Sequence, residues 1–275
     1  MLSTLMLLLL AAPVSPVAIE NAAVRVEVDP QLLSVRYVGP PQGPNLVESL
    51  HVEARDRRLE DWLDAGGVTW DIASTPEHDA PLRRGPATVL AHTANRVVLL
   101  SPASTESPYR LKLEITIPGD RPEVTVTTVL STEAIAPDAP VSLRCAFRLS
   151  PGALVGTYDA RSATVYPLDQ PPAAKGMTIT EWDGILFDAG APGSRPLVAT
   201  AFGASAVIDR NGLKLVREVD GGTAAPEGYA RAANLHAISD PRTHTYGLVM
   251  ESPRAPIAIA APLVYREVWR LSTAE

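Results

Sequence analysis

The chain has 275 residues, 46% of them hydrophobic, and its 24 basic and 31 acidic residues leave a net charge of −7. That apolar content is enough for a sizeable core, and the absence of a basic stripe excludes nucleic acid as a partner. The 26 prolines argue against long helices, because proline interrupts helix interiors and central strands alike. The N-terminal stretch MLSTLMLLLLAAPVSPVA carries an apolar run from Leu5 to Ala12. It is too short to cross a bilayer, which takes about 20 apolar residues. It fits the hydrophobic region of an export signal, with cleavage between Ala12 and Ala18, although no Lys or Arg precedes it. A hydrophobic first strand is the alternative. The expected organisation is a signal over residues 1–18 and one domain over 19–275, secreted or periplasmic, with no membrane anchor in the mature chain.

Next comes VRVEVDPQLLSVRYVG (Val24–Gly39), in which alternating apolar residues flank a proline-containing turn. This pattern predicts a β-hairpin. DRRLEDWLD (Asp56–Asp64) has helical spacing and predicts one short surface helix. In YRLKLEITI, residues Tyr109, Leu111, Leu113, Ile115 and Ile117 share a face. The turn PGDRP then leads into EVTVTTVL, a second hairpin. SLRCAFRL (Ser142–Leu149) places Leu143, Cys145, Phe147 and Leu149 on one side, with Arg144 and Arg148 on the other. Cys145 is the single cysteine, which excludes an internal disulfide, a cysteine-rich zinc site and a lipid-anchored cysteine behind the signal. Its alternation makes it a core thiol rather than a nucleophile.

PLDQPPAAKG (Pro167–Gly176) reads as a long loop. SAVIDRNGLKLVREV sets Asn211-Gly212 between two alternating runs, a pair suited to the positive φ angles of a type I′ hairpin turn. TYGLVMES, APIAIAAP and REVWRLS complete the series of strands. No fixed-period repeat and no dividing linker interrupt it. The expected fold is all-β, built from many antiparallel strands.

Several of these segments, in order, resemble the galactose mutarotase-like proteins of the aldose 1-epimerase superfamily. The opening hairpin is followed by Gly43-Pro44-Asn45-Leu46-Val47, and then by Gly66-Gly67-Val68-Thr69-Trp70. Val97-Val98-Leu99-Leu100-Ser101-Pro102, the YRLKLEITIPGDRPEVTVTTVL hairpin and Glu267-Val268-Trp269-Arg270-Leu271 follow. The resemblance spans residues 20–272 and is similar to an uncharacterised, often secreted branch of that superfamily. It implies an antiparallel β-supersandwich whose concave face can hold a sugar. Two positions depart from the pattern: Gln31-Leu32-Leu33 stands where the family places a glycine pair, and Thr69 where it places a lysine.

Mutarotation moves protons between the anomeric hydroxyl and the ring oxygen, so it needs a general acid and a general base. The resemblance implies a histidine from a central strand and a glutamate from a late one. Gly247-Leu248-Val249-Met250-Glu251-Ser252-Pro253 resembles the late segment and nominates Glu251, with a solvated strand-end carboxylate as the alternative. No histidine lies between Val141 and Gly176. His236, in ANLHAIS, and His244, in THTY, are the remaining acid candidates, and both fall late in the chain. For sugar binding, Trp70 and Trp182 (in ITEWDG) are stacking candidates, although either could be a core tryptophan. Arg144, Arg148 and His78 are candidates for hydroxyl contacts. Pro76-Glu77-His78-Asp79 lacks the spacing of a metal site, so neither metal nor cofactor is expected. No GxSxG elbow, P-loop or dinucleotide fingerprint is present. The expected activity is carbohydrate binding without clear signs of catalysis. A sugar-acting enzyme and a partner-binding sandwich remain the alternatives, and the oligomeric state is open.

Overall fold

The computed structural model describes residues 15–48, 66–73, 82, 86–133, 139–150, 152–157, 162–167, 177–180, 185–188, 197–220, 228–229, 233–240 and 245–273. The strands in chain order begin with β1 (Val17–Glu20), β2 (Arg25–Asp29), β3 (Ser34–Gly39), β4 (Val68–Ile72), β5 (Thr88–Thr93) and β6 (Arg96–Leu100). Then come β7 (Tyr109–Thr116), β8 (Glu123–Thr132), β9 (Leu143–Arg148), β10 (Leu154–Thr157), β11 (Ser162–Pro167), β12 (Met177–Thr180) and β13 (Ile185–Asp188). The series ends with β14 (Leu197–Ala201), β15 (Ser205–Arg210), β16 (Leu213–Val219), β17 (Leu235–Asp240), β18 (Thr245–Glu251) and β19 (Leu263–Thr273). They form a ten-stranded sheet, ordered β1-β2-β3-β4-β9-β18-β17-β14-β11-β12, and a nine-stranded sheet, ordered β13-β10-β15-β16-β19-β8-β7-β6-β5. Among the described residues every strand pairing is antiparallel.

Alternation in sequence becomes alternation in space. β7 and β8 pair from Tyr109↔Thr132 to Thr116↔Thr125, and every second residue of each is buried. The period-two pattern therefore sends one face of this hairpin to the core and the other outward. The Asn211-Gly212 turn joins β15 to β16, with φ of 54° and 79° at the two residues, as a type I′ turn requires. The opening hairpin is β2 and β3, with a register shift at Glu27/Val28. Its turn contains Leu33 at φ 49°, a left-handed conformation with a branched side chain that is itself buried.

Both sheets contribute to one hydrophobic cluster. Val26, Trp70, Phe147 and Leu248 come from the ten-stranded sheet, and Leu111, Val124, Leu215 and Trp269 from the other. Cys145 is fully buried within it, as its alternation predicts. Desolvation pushes its thiol well above the usual range, with the Glu267 carboxylate adding to the effect.

One expectation needs adjustment. APIAIAAP is not a strand; it contains an isolated Ala258↔Ala261 bridge, and Ala255 makes another with Val141. Pro256 and Pro262 flank this segment and supply no N–H to a ladder, and Ile259 at its tip is 68% exposed. Val17 and Ala18, inside the 1–18 boundary, pair with Val28 and Glu27 as part of β1. The predicted helix at Asp56–Asp64 and nearly all of the Pro167–Gly176 loop lie outside the described residues. Among the described residues no helix is long and apolar enough to cross a membrane.

Candidate functional site

β9 is the fifth strand of the ten-stranded sheet, between β4 and β18. Leu143, Cys145 and Phe147 join the core cluster, so Ser142, Arg144, Ala146 and Arg148 face the opposite way. Cross-strand register carries this outer face sideways. Arg144 stands opposite Asp71 on β4 and Glu251 on β18. Ala146 stands opposite Thr69 and Val249, and Val249 is in turn opposite His236 on β17. Thr200 on β14 is the next partner of His236. Asp71, Arg144, Glu251 and His236 therefore share one face at the centre of the sheet, although the chain supplies them from residues as distant as 71 and 251.

The contacts between them are specific. Arg144 Nε donates to Asp71 Oδ1 at 2.6 Å, with Asp71 almost entirely buried. Ser142 Oγ donates to Glu251 Oε1 at 2.6 Å, and its own side chain is fully buried. The other carboxylate oxygen, Glu251 Oε2, lies 3.8 Å from His236 Nε2. Glu251 is 4% exposed and His236 7%. Arg148 Nε pairs with Glu48 Oε2 at 3.2 Å. Asp240 completes the face on β17, opposite Thr245. Apolar groups, Val249, Ile238 and Val198, alternate with these polar ones on the same face.

The backbone at one end of this site depends on Gly67. It adopts φ 70°, and a Cβ there would lie 2.0 Å from the Val35 carbonyl oxygen. Only glycine fits such a close approach of β4 to β3. Gly67 donates its N–H to the Glu48 carbonyl at 2.6 Å and accepts from Arg148 N–H at 2.8 Å, so this turn fixes the two residues of the second ion pair.

Of the predicted residues, Arg144, Arg148, Glu251 and His236 meet on this face. Trp70 does not. Its neighbours Thr69 and Asp71 face the site, while its own ring joins the core cluster and is 2% exposed. A stacking platform needs an open ring face, and this ring has none. His244, His78 and Trp182 lie outside the described residues. Sequence reasoning passed over Asp71, Ser142, Glu48 and Asp240. For Asp71 the signal was available: a carboxylate between Trp70 and Ile72 in a strand must point away from the side on which they are buried.

Comparison with solved structures places this arrangement. Superposition on a putative aldose 1-epimerase from Escherichia coli K12 gives a TM-score of 0.60 at 11% identity, covering 94% of this chain and 99% of that one. A galactose mutarotase related enzyme from Lactobacillus acidophilus gives 0.60 at 9% identity, covering 95% and 99%. The GalM/aldose epimerase homologue from C. elegans gives 0.57 at 8% identity, again covering 95% and 99%. The fold is galactose mutarotase-like. No family model and no curated protein matches the sequence, so the likeness is one of fold. Within this galactose mutarotase-like architecture, β9 carries arginines on its outer face rather than a histidine. The histidine that reaches Glu251 comes instead from β17.

Proposed function

We propose that this protein is an exported carbohydrate-binding protein that uses the outer face of the ten-stranded sheet, centred on Arg144, Glu251 and His236. The observation that carries the reading is the convergence of Asp71, Arg144, Glu251 and His236 on one face of a sugar-related fold. Sugars need this mixture. Their hydroxyls accept charge-assisted hydrogen bonds from groups such as Arg144 and donate them to carboxylates such as Glu251. A partner-binding sandwich with a filled face has no comparable need for ionisable groups on that face. The apolar run Leu5–Ala12 supports export, as read from the sequence.

The test is a thermal-shift screen of neutral monosaccharides and oligosaccharides. A sugar present at 100 times its Kd adds about 2.7 kcal/mol, a rise of about 5 °C in melting temperature for a chain of this size. That rise should vanish in Arg144→Ala. No rise with any sugar at millimolar concentration refutes the reading.

A second reading, a sugar-acting enzyme of the aldose 1-epimerase type, is favoured by the 3.8 Å approach of His236 to Glu251, a spacing at which both groups would address the neighbouring anomeric hydroxyl and ring oxygen from the same side. It predicts exchange between the α and β anomers of galactose, measured by NMR, that is faster with the protein than without and is lost in Glu251→Gln.

A further inference from the structure

We propose that Ser142, Glu251 and His236 form one coupled proton-holding unit, in which Ser142 positions Glu251 and Glu251 in turn governs the protonation of His236. This deepens the proposed sugar site and rests on it for its biological purpose, but not for its test.

The geometry separates this arrangement from an acid and a base acting on opposite sides of a sugar. Two groups that each hold a different side of one sugar at about 2.8 Å must stand more than about 5.6 Å apart. His236 Nε2 and Glu251 Oε2 are 3.8 Å apart, so no sugar fits between them. They are diagonal neighbours on paired strands: His236 is the partner of Val249, and Glu251 N–H donates to the Asn234 carbonyl at 2.9 Å. Asn234 is itself clamped, donating to the Gly203 carbonyl at 2.7 Å and accepting from Gly203 N–H at 3.0 Å. The backbone beneath the pair is therefore fixed on both strands.

Ser142 fixes the side chain. Its hydroxyl holds Oε1 at 2.6 Å, which leaves Oε2 directed at the imidazole. A buried carboxylate within ion-pair range stabilises an imidazolium. Among the described residues, the other charged groups facing the pair are Arg144, opposite Glu251 on β9, Asp71 behind it on β4, and Asp240 on β17. All three are common to the wild type and the variants below, so differences between proteins isolate the pair.

The measurement is the pH titration of the His236 ring nitrogens by NMR in the full chain without sugar, assigned by comparison with His236→Asn. In Glu251→Gln, the nearly isosteric change, the midpoint moves to lower pH. In Ser142→Ala it moves the same way by less, and Ser142→Thr, which keeps the hydroxyl, restores it. A midpoint unchanged in folded Glu251→Gln overturns the unit. An unchanged midpoint in Ser142→Ala removes Ser142 from it. With D-galactose as the probe, the pH at which affinity changes should follow the His236 midpoint from wild type to Glu251→Gln, and an inflection that ignores the shift also counts against the unit. If no sugar binds while the midpoints shift as stated, the sugar reading fails and the coupled unit stands.

Discussion

Among the described residues, Arg217 should be the most costly single charge to remove. It is fully buried between the sheets, with Nη2 2.9 Å from both Glu267 oxygens and Nε 3.0 Å from Oε2. Nη2 also donates to the Cys145 carbonyl at 3.2 Å, and the guanidinium lies 4.1 Å from the Phe147 ring centroid. Burial pulls its pKa down, but Glu267, with smaller contributions from Cys145 and Tyr265, outweighs that and the net shift is upward, so it stays charged. Arg217→Met fills the space but takes away the cation that balances the Glu267 carboxylate, which keeps the Trp269 Nε1 donor at 2.7 Å. Breaking a buried pair in this way costs about 3–5 kcal/mol, a large part of the 5–15 kcal/mol that holds a domain folded. With a urea slope of about 3 kcal/mol/M the midpoint falls by about 1–2 M. Glu267→Leu alone should cost a similar amount. The double variant loses the acceptor of the Trp269 indole, worth about 1–3 kcal/mol, and has no buried charge. It should therefore be more stable than either single variant. Costs that simply add, within about 0.5 kcal/mol, would refute the reasoning.

The other predictions address different parts of the molecule. Gly67→Ala forces the close approach at Val35 apart and imposes a left-handed alanine, so it should cost about 3 kcal/mol or more by urea unfolding. Cys145 should resist a thiol reagent at pH 8 in the native protein and react stoichiometrically in urea. Burial, reinforced by the Glu267 charge, also pushes the Tyr265 phenol well above its ordinary value. For both groups the folded pKa lies above the unfolded one. The stability they contribute is fully present below their ordinary values and is lost as pH climbs past those values. Unfolding free energy should therefore fall from about pH 9 upward, and a curve flat to pH 11 would contradict this. If the chain is exported and cut, intact mass should show a mature N-terminus at or before Val17, because a later cut removes β1 pairing to Val28.

The alternating segments were legible because one buried face imposes a period of two on any strand, and β7, β8, β16 and β19 all show it. The APIAIAAP segment misled because apolar residues in a turn look like those of a strand until its flanking prolines are weighed. Trp70 misled differently: it sits beside the glycines that shape the site, yet strand alternation turns it to the other side. The His236–Glu251 contact was out of reach of sequence reasoning, since it depends on how β17 registers against β18. Ser142 was harder still, because its bond to Glu251 spans 109 positions of sequence.

β9 is a single layer of backbone shared by two polar assemblies. On one side its Cys145 carbonyl takes a hydrogen bond from Arg217; on the other, the adjoining residue is Arg144 in its bond to Asp71. If the proposed sugar site is correct, a selection for altered sugar preference should therefore return substitutions in the interior, at Arg217, Glu267 or Phe147, as well as on the outer face. Such interior changes would alter specificity by tilting a strand, without replacing any group that could touch a sugar.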